Sequence, residues 1–426
     1  MRRFLPLVLV FLILLSAVPL VHGQDDPIVF ASSLPLTGSF SIAGTKHQDG
    51  YQLCVDLINE AGGLLDRPVE LLVNDNQSDA ETAIAQFERF INVDNVDIIL
   101  GTFSSLIAFP ATSVTEQAGY VHPIPSAAAL RIYERGYEHL FYFQPNVGEF
   151  IGETPVRMID DLVPEEDRPQ TAALVWADDF FANSIAAGLL GHEVAIPGTD
   201  TVIDLSPGYL IEAGYEIVYT EQWPEQGFSD WLTLANAVKS ANADFLLALV
   251  TSPDEAIQLA RALQTIDYQP KAVFMSQGAQ SEFAEELGSA ANGIMIHASW
   301  HPLANFTGVL NGEEFTNEDF LAAFEAKYGR TADEDESIPF AVCQGMEQAI
   351  RATGTTDNAV LRDWLASRTA EEPVRTILGD FYWDERGLPI DKPFIMVQWQ
   401  DENLEFVYPT DAFPGVADLV WPKPEW

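Results

Sequence analysis

The sequence predicts an α/β protein made of two doubly wound parallel sheets. Short apolar runs alternate with helical stretches that carry apolar residues at helical spacing, which is typical of parallel sheets covered by helices. The alternation begins near Ile28 and starts again near Thr171. The 426 residues also exceed the usual length of a single domain. These observations favour two lobes, each with its own core.

The first 23 residues have the pattern of a secretory signal peptide. Arg2 and Arg3 precede an apolar run over 4–15, and small residues precede Gln24. The run is shorter than a membrane-spanning helix, although an uncleaved anchor is an alternative. We expect cleavage near Gly23, no membrane insertion of the mature chain, and a periplasmic or extracellular location.

The first series of elements opens with a strand at 28–32 and a loop containing Gly38. A helix follows from Gln48 and ends at Gly62 and Gly63. We then predict strands at 69–73, 96–100, 119–125 and 140–143, and a helix at 80–92.

The second series repeats the pattern after Thr171. We predict strands at 171–176, 215–220, 244–250, 272–275 and 293–298, with helices at 182–190, 231–240 and 253–264. Helices at 317–328 and 338–352 follow, while the loop 188–207 is the least regular part of the chain. Consecutive strands of this kind join one sheet through right-handed crossovers.

The charge of the chain excludes some classes of partner. With 64 acidic and 21 basic residues, the formal net charge is −43. Such a chain repels nucleic acid phosphates and anionic lipids, so neither is an expected partner. The acidic run 333–336 lacks the spacing of a calcium-binding loop and is interpreted as a solvated turn.

Motifs of enzymatic chemistry are missing from the sequence. It contains no Gly-x-Ser-x-Gly, His-Glu-x-x-His or Gly-x-Gly-x-x-Gly, so we expect a protein that is not an enzyme and that has no cofactor or metal. Cys54 and Cys343 are the only cysteines. A disulfide and two buried free thiols both remain compatible with the sequence.

Several blocks in a fixed order resemble the type I periplasmic solute-binding proteins, in particular the branched-chain amino-acid (Leu/Ile/Val) receptor family of ABC transporters. The blocks are LPLTGSFSIAG, INEAGG, VELLVNDNQSD, IILGTFSS and GDFYWDERG, and the resemblance covers about 28–409. It implies a monomeric receptor that closes two lobes on a small molecule and delivers it to the permease subunits. A sensor module of the same fold is the alternative, and an exported hydrolase would need a nucleophile that the sequence does not show.

The resemblance also implies three hinge crossings, near 144–147, 299–302 and 377–381. Lobe 1 then comprises 24–145 and 300–378, and lobe 2 comprises 146–299 and 379–410. The remaining residues, 411–426, form a tail on the surface.

The strongest site signal in lobe 1 is the turn from Gly101 to Ser105. It follows a strand and begins a helix, so the hydroxyls of Ser104 and Ser105 and the free backbone N–H groups converge on a position that suits a carboxylate. The next strand ends at Ser126, and Ala128 stands where the resemblance implies a threonine.

In lobe 2 the resemblance places the ligand wall at Phe181 and an acidic residue at or beside Gln277, which is uncharged here. Asp179 or Glu282 is an alternative source of negative charge, and Trp300 near a crossing is a candidate stacking residue. A buried ammonium without a counter-charge is costly. We therefore expect leucine, isoleucine and valine to bind poorly, and a ligand without an α-ammonium, such as an aromatic carboxylate or an amide, to bind better.

Overall fold

The computed structural model describes residues 26–224 and 227–426, so the predicted signal peptide at 1–23 lies outside the described residues. The first part of the chain contains β1 (Ile28–Leu34), α1 (Ser41–Glu60), β2 (Val69–Asp75), α2 (Ala80–Arg89), β3 (Ile98–Ile99), α3 (Ser105–Ala118), β4 (His122–Ile124) and β5 (Leu140–Tyr142).

The second part contains α4 (Glu153–Leu162), β6 (Thr171–Ala177), α5 (Phe180–Leu190), β7 (Glu193–Ala195), β8 (Val202–Asp204), α6 (Tyr209–Glu212), β9 (Glu216–Trp223), α7 (Trp231–Ala241), β10 (Phe245–Leu249), α8 (Pro253–Thr265), β11 (Ala272–Met275), α9 (Ser281–Leu287) and β12 (Ile294–Ala298). The last part contains β13 (Thr307–Leu310), β14 (Glu313–Thr316), α10 (Asn317–Tyr328), α11 (Glu334–Thr353), α12 (Asn358–Ala366), β15 (Val374–Thr376), β16 (Gly379–Phe381), β17 (Ile395–Gln400) and β18 (Asn403–Tyr408).

Lobe 1 is built on parallel strands in the order β2-β1-β3, followed by the parallel pair β4-β5. The Gly101 N–H donates to the Pro123 carbonyl at 3.0 Å and continues the sheet from β3 to β4. A Cβ at Gly101 would lie 2.5 Å from that carbonyl oxygen, so only glycine allows this approach. The helices α10 and α11 return to this lobe, and α11 packs along α1.

Lobe 2 contains a seven-stranded sheet in the order β18-β17-β12-β11-β10-β6-β9. The five strands from β12 to β9 are parallel, and β17 and β18 extend the sheet with antiparallel pairing. Strands β10, β11 and β12 are buried along their whole length, as expected where helices cover both faces. The two doubly wound lobes predicted from the alternating pattern are therefore confirmed.

The third passage between the lobes comes later than the predicted 377–381. Ile377, Phe381 and Trp383 belong to the core of lobe 1, and the Phe381 ring lies 5.1 Å from the Phe143 ring. Leu388 still packs with residues of lobe 1 and Phe394 belongs to the core of lobe 2, so the chain passes between the lobes over 389–393. Pairing of β16 with β15 explains the difference, because the hairpin holds residues 379–381 in lobe 1.

Cys54 and Cys343 form a disulfide, which decides between the two alternatives that the sequence left open. The bond joins α1 to α11 inside the core of lobe 1, and both residues are fully buried. Residues 411–426 run along lobe 2, where the Lys423 N–H donates to the Lys271 carbonyl at 2.8 Å. Within the described residues, none of the helices combines the length and the apolar character that crossing a membrane requires.

Candidate functional site

A cavity of about 570 Å³, which includes space open to solvent, lies between the two lobes. Its lobe 1 wall comes from the segments that follow β3, β4 and β5 and from the first turns of α11. The lobe 2 wall comes from the ends of β6, β10, β11 and β12 and the residues after them. Both walls thus use the carboxyl ends of parallel strands, the usual position of ligand sites in open α/β sheets.

Seven of the eight residues predicted for the site line this cavity: Ser104, Ser105, Ser126, Ala128, Asp179, Phe181 and Gln277. The eighth, Trp300, does not line it. The Trp300 indole is buried in the core of lobe 1, donates to Asn317 Oδ1 at 2.8 Å and packs edge-on against Phe320. Stacking of Trp300 on a ligand in this cavity is therefore excluded by its position, and it acts as a packing residue near the crossing.

The amino terminus of α3 directs hydrogen-bond donors into the cavity. Ser104 is the N-cap residue of this 14-residue helix, yet its side chain makes no capping bond. Ser104 Oγ is buried and has no hydrogen-bond partner among the described residues. The backbone N–H groups of the first turn carry the positive end of the helix dipole. This corner of the cavity is suited to a carboxylate or another hydrogen-bond acceptor.

Ser126 is held by two side chains that the sequence analysis did not single out. His47 Nδ1 lies 2.9 Å from the Ala43 carbonyl and must donate to it, so Nε2 accepts from the Ser126 hydroxyl, also at 2.9 Å. Burial lowers the pKa of His47 to about 4, which keeps the ring neutral. Gln144 Nε2 donates to Ser126 Oγ at 3.1 Å. Because its proton is engaged by His47, Ser126 presents a lone pair to the cavity.

The lobe 2 wall combines one apolar side chain with polar groups. Asp179 caps α5, because its Oδ1 accepts from the Phe181 N–H at 2.7 Å, and this bond fixes the start of the helix that carries Phe181. His297 also lines the cavity, and its Nδ1 is buried without a hydrogen-bond partner among the described residues. Desolvation lowers the pKa of His297 to about 3, so the ring is neutral.

Two carboxyl groups from the start of α11, Glu334 and Asp335, complete the cavity. Glu334 Oε2 accepts from the Ser299 N–H at 3.0 Å, and Asp335 Oδ2 accepts from Gln280 Nε2 at 2.9 Å. Burial, together with the charge of neighbouring carboxylates, raises the pKa of Glu334 to about 8 and that of Asp335 to about 7. A cationic group in the cavity would stabilise both carboxylates.

The interpretation of 333–336 as a solvated turn was wrong. Asp333 and Glu336 form a capping box at the start of α11, and Glu336 is fully buried. Asp-x-x-Glu before an apolar run is a known signal for the start of a helix, and it was available in the sequence. It would have placed Glu334 and Asp335 in the first turn of that helix. The sequence gives no comparable signal for Tyr142, Thr251 or Ser299, which also line the cavity.

The raised pKa values of Glu334 and Asp335 predict that stability falls as pH rises through the acidic and neutral range. The folded protein holds these protons where the unfolded chain has lost them, so the free energy of unfolding decreases as pH rises from about 4 towards 8. Below about pH 6.5 the buried neutral imidazoles of His47 and His297 oppose this trend, because they favour unfolding as they become protonated. Up to about pH 6.5 the two effects largely cancel, so we expect the unfolding temperature to fall mainly between about pH 6.5 and 8.

Calorimetric scans across this pH range test the assignment. The Glu334→Gln, Asp335→Asn double variant should show a weaker decline of the unfolding temperature above about pH 6.5 than the wild type. Equal declines in the two proteins would assign the effect to other groups, such as Glu149, whose pKa burial raises to about 7.

A two-lobed α/β protein whose cavity lies between the carboxyl ends of both sheets has the architecture of a ligand receptor that closes around its solute. Comparison with known proteins agrees with this architecture. The family model described as periplasmic binding protein matches residues 27–151 and 170–403. The chain belongs to this family.

Relatives and solved structures extend the similarity over nearly the whole chain. The chain is 27% identical over 421 residues to Leu/Ile/Val-binding protein homolog 7 of Brucella suis biovar 1 (strain 1330), with 97% of this chain and 99% of that protein covered. The structure superposes with a TM-score of 0.73 on the substrate binding protein LivJ of a branched-chain amino acid transporter from Streptococcus pneumoniae in complex with isoleucine. That match has 18% identity and covers 93% of this chain and 100% of the other.

A third similar structure is a solute binding protein of an ABC transporter from R. palustris in complex with benzoate. Its TM-score is 0.69 at 17% identity, with 94% of this chain and 98% of that chain covered. The family and fold inferred from the order of sequence blocks are therefore confirmed.

Proposed function

We propose that this protein is the extracytoplasmic solute-binding receptor of an ABC importer and that its cleft holds an amino acid. The observation that carries the proposal is the arrangement of charge in one cavity. Hydrogen-bond donors at the start of α3 lie in the same cavity as the carboxyl groups of Glu334 and Asp335. An α-amino acid has the matching pair of groups, a carboxylate for the donors and an ammonium for the acids.

We propose an α-amino acid in place of the ligand without an α-ammonium that the sequence analysis favoured. That expectation rested on Gln277, which is uncharged where the resemblance implies an acid, and it left Asp179 and Glu282 as alternative sources of charge. Asp179 lines the cavity. Lobe 1 contributes two further acids, Glu334 and Asp335, and a bound ammonium would favour their ionised forms. The second alternative, Glu282, does not line the cavity and is paired with Lys46 at 2.7 Å.

Apolar side chains in the cavity wall indicate what kind of side chain the ligand carries. Phe103 and Ile338 of lobe 1 and Phe181 of lobe 2 line the cavity. Burying an apolar side chain of leucine size contributes about 1.5 to 3 kcal/mol. We therefore propose an amino acid with an apolar or aromatic side chain, and the isoleucine complex of the structurally similar LivJ supports this class.

The partners and the absence of catalysis are also proposals. The names of similar proteins as ABC-transporter substrate-binding proteins support permease subunits as the partner that receives the ligand. We propose that the receptor acts as a secreted monomer and releases its ligand unchanged. Recovery of intact leucine after prolonged incubation with the protein tests the last point.

Isothermal titration of the mature protein with L-leucine and with benzoate tests the proposal. We expect leucine to bind and benzoate to bind more weakly. The Ser104→Ala, Ser105→Ala double variant should lose about 1 to 3 kcal/mol of leucine binding energy, the usual cost of an unpaired buried polar group. Ser240→Ala, an exposed position on α7, is the control and should bind like the wild type. Equal leucine affinities in the double variant and the control would contradict the assignment of the α3 terminus.

A further inference from the structure

The segment 277–282 of lobe 2, which we call the closing segment, combines a wall of the cavity with two contacts to lobe 1. It connects β11 to α9. Gln277 lines the cavity, Gln280 donates to Asp335 of lobe 1, and Glu282 pairs with Lys46 of lobe 1. Opening the cleft must break both contacts, because each joins one lobe to the other.

The Lys46 ammonium is also held by a carboxylate of its own lobe. It lies on α1 with its side chain only 6% exposed, and it pairs at 2.5 Å with Asp333, the N-cap residue of α11 in the same lobe. A buried ammonium has three donors, and one carboxylate does not use them all. Glu282, whose side chain is 37% exposed, approaches from lobe 2 and accepts a second hydrogen bond at 2.7 Å.

The second contact links the closing segment to the ligand cavity itself. The Gly278 N–H donates to Gln280 Oε1 at 3.2 Å, which turns the Gln280 amide nitrogen towards Asp335. Asp335 also lines the cavity. The same carboxyl group thus lines the cavity and accepts a hydrogen bond from the closing segment.

We propose that the Lys46–Glu282 ion pair, supported by the Gln280–Asp335 hydrogen bond, is the latch that holds the two lobes closed and sets how long a bound solute is retained. Lys46 and Glu282 are positioning residues, since neither lines the cavity. The proposal rests on the proposed function, because a latch on a cleft matters only if solute enters it. It assigns closure to protein–protein contacts in addition to contacts with the solute.

Variants of Glu282 test the latch without disturbing lobe 1, because the Lys46–Asp333 pair stays intact. Glu282→Ala should raise the dissociation rate of L-leucine about tenfold or more, since a hydrogen bond to a charged group commonly contributes that factor. Glu282→Gln keeps an acceptor but loses the charge and should have an intermediate rate. Glu285→Ala, an exposed position on the same helix, is the matched control and should release leucine like the wild type.

Two further measurements distinguish a latch from a purely structural role of Lys46 and test the latch without relying on the proposed ligand. Lys46→Arg keeps the positive charge and should retain slow release, whereas Lys46→Met should not. Small-angle X-ray scattering without added amino acid should show a larger radius of gyration for Glu282→Ala than for Glu285→Ala.

The outcomes are distinguishable. If the wild type does not bind leucine, the proposed ligand class fails and the scattering comparison alone decides on the latch. In that case, equal radii of gyration for Glu282→Ala and Glu285→Ala would overturn the latch. If leucine does bind, the latch is overturned when these two variants have equal radii of gyration and also equal leucine release rates.

Discussion

Removing the disulfide should lower the free energy of unfolding of lobe 1 by about 2 to 5 kcal/mol, near the upper end of what single cross-links contribute. The expected loss is large because Cys54 and Cys343 are separated by 289 residues, so the bond restricts a very long loop in the unfolded chain. The bond also joins α1 to α11 within the buried core. Urea unfolding of the wild type and of the Cys54→Ala, Cys343→Ala variant measures the difference.

The effect should be confined to lobe 1, because the core of lobe 2 has no contact with this bond. Two transitions, one shifted and one unshifted, are therefore expected in the variant if the lobes unfold separately. Wild-type protein treated with reductant provides the control, since it should match the variant. Identical urea midpoints for wild type, reduced wild type and variant would contradict a stabilising role for the disulfide.

Alternating patterns in the sequence predicted the fold well, and the reason is physical. Strands such as β10 and β12 are buried on both faces, so they appear as continuous apolar runs, and their helices show a clear apolar face. The third passage between the lobes was misplaced because residues 379–381 pair in a hairpin with β15. A pairing of two three-residue strands has no periodic signal of its own.

Only part of the site could be predicted, namely the residues whose positions follow from the order of strands and helices. Ser104, Ser126 and Phe181 directly follow strands or begin helices, so their positions can be read from the order of the elements. Glu334 and Asp335 reach the cavity from a helix that returns to lobe 1 late in the chain, and no local pattern shows which cavity that helix faces. Trp300 lies near a crossing as expected, but its indole points into the core.

Loss of the two cavity carboxylates should abolish most of the affinity for an amino acid. In the Glu334→Gln, Asp335→Asn double variant, we expect leucine binding to weaken by about 2 to 5 kcal/mol, because removing one side of a buried charge pair leaves the other without compensation. The pH dependence supplies a second readout. Binding of an ammonium favours the ionised carboxylates, so leucine affinity should increase as pH rises through about 7 and 8, the pKa values of Asp335 and Glu334.

A matched pair of ligands isolates the charge effect from any change in the shape of the cavity. 4-Methylpentanoate has the carboxylate and side chain of leucine without the ammonium, so the double variant should bind it at least as well as the wild type does. Glu318→Gln, an exposed position on α10, removes one carboxylate away from the cavity and should leave both affinities unchanged. If the double variant loses leucine and 4-methylpentanoate equally, the carboxyl groups shape the cavity but do not receive an ammonium. A wild type that prefers 4-methylpentanoate to leucine would instead favour a ligand without an α-ammonium, because the acids would then act as neutral hydrogen-bond donors.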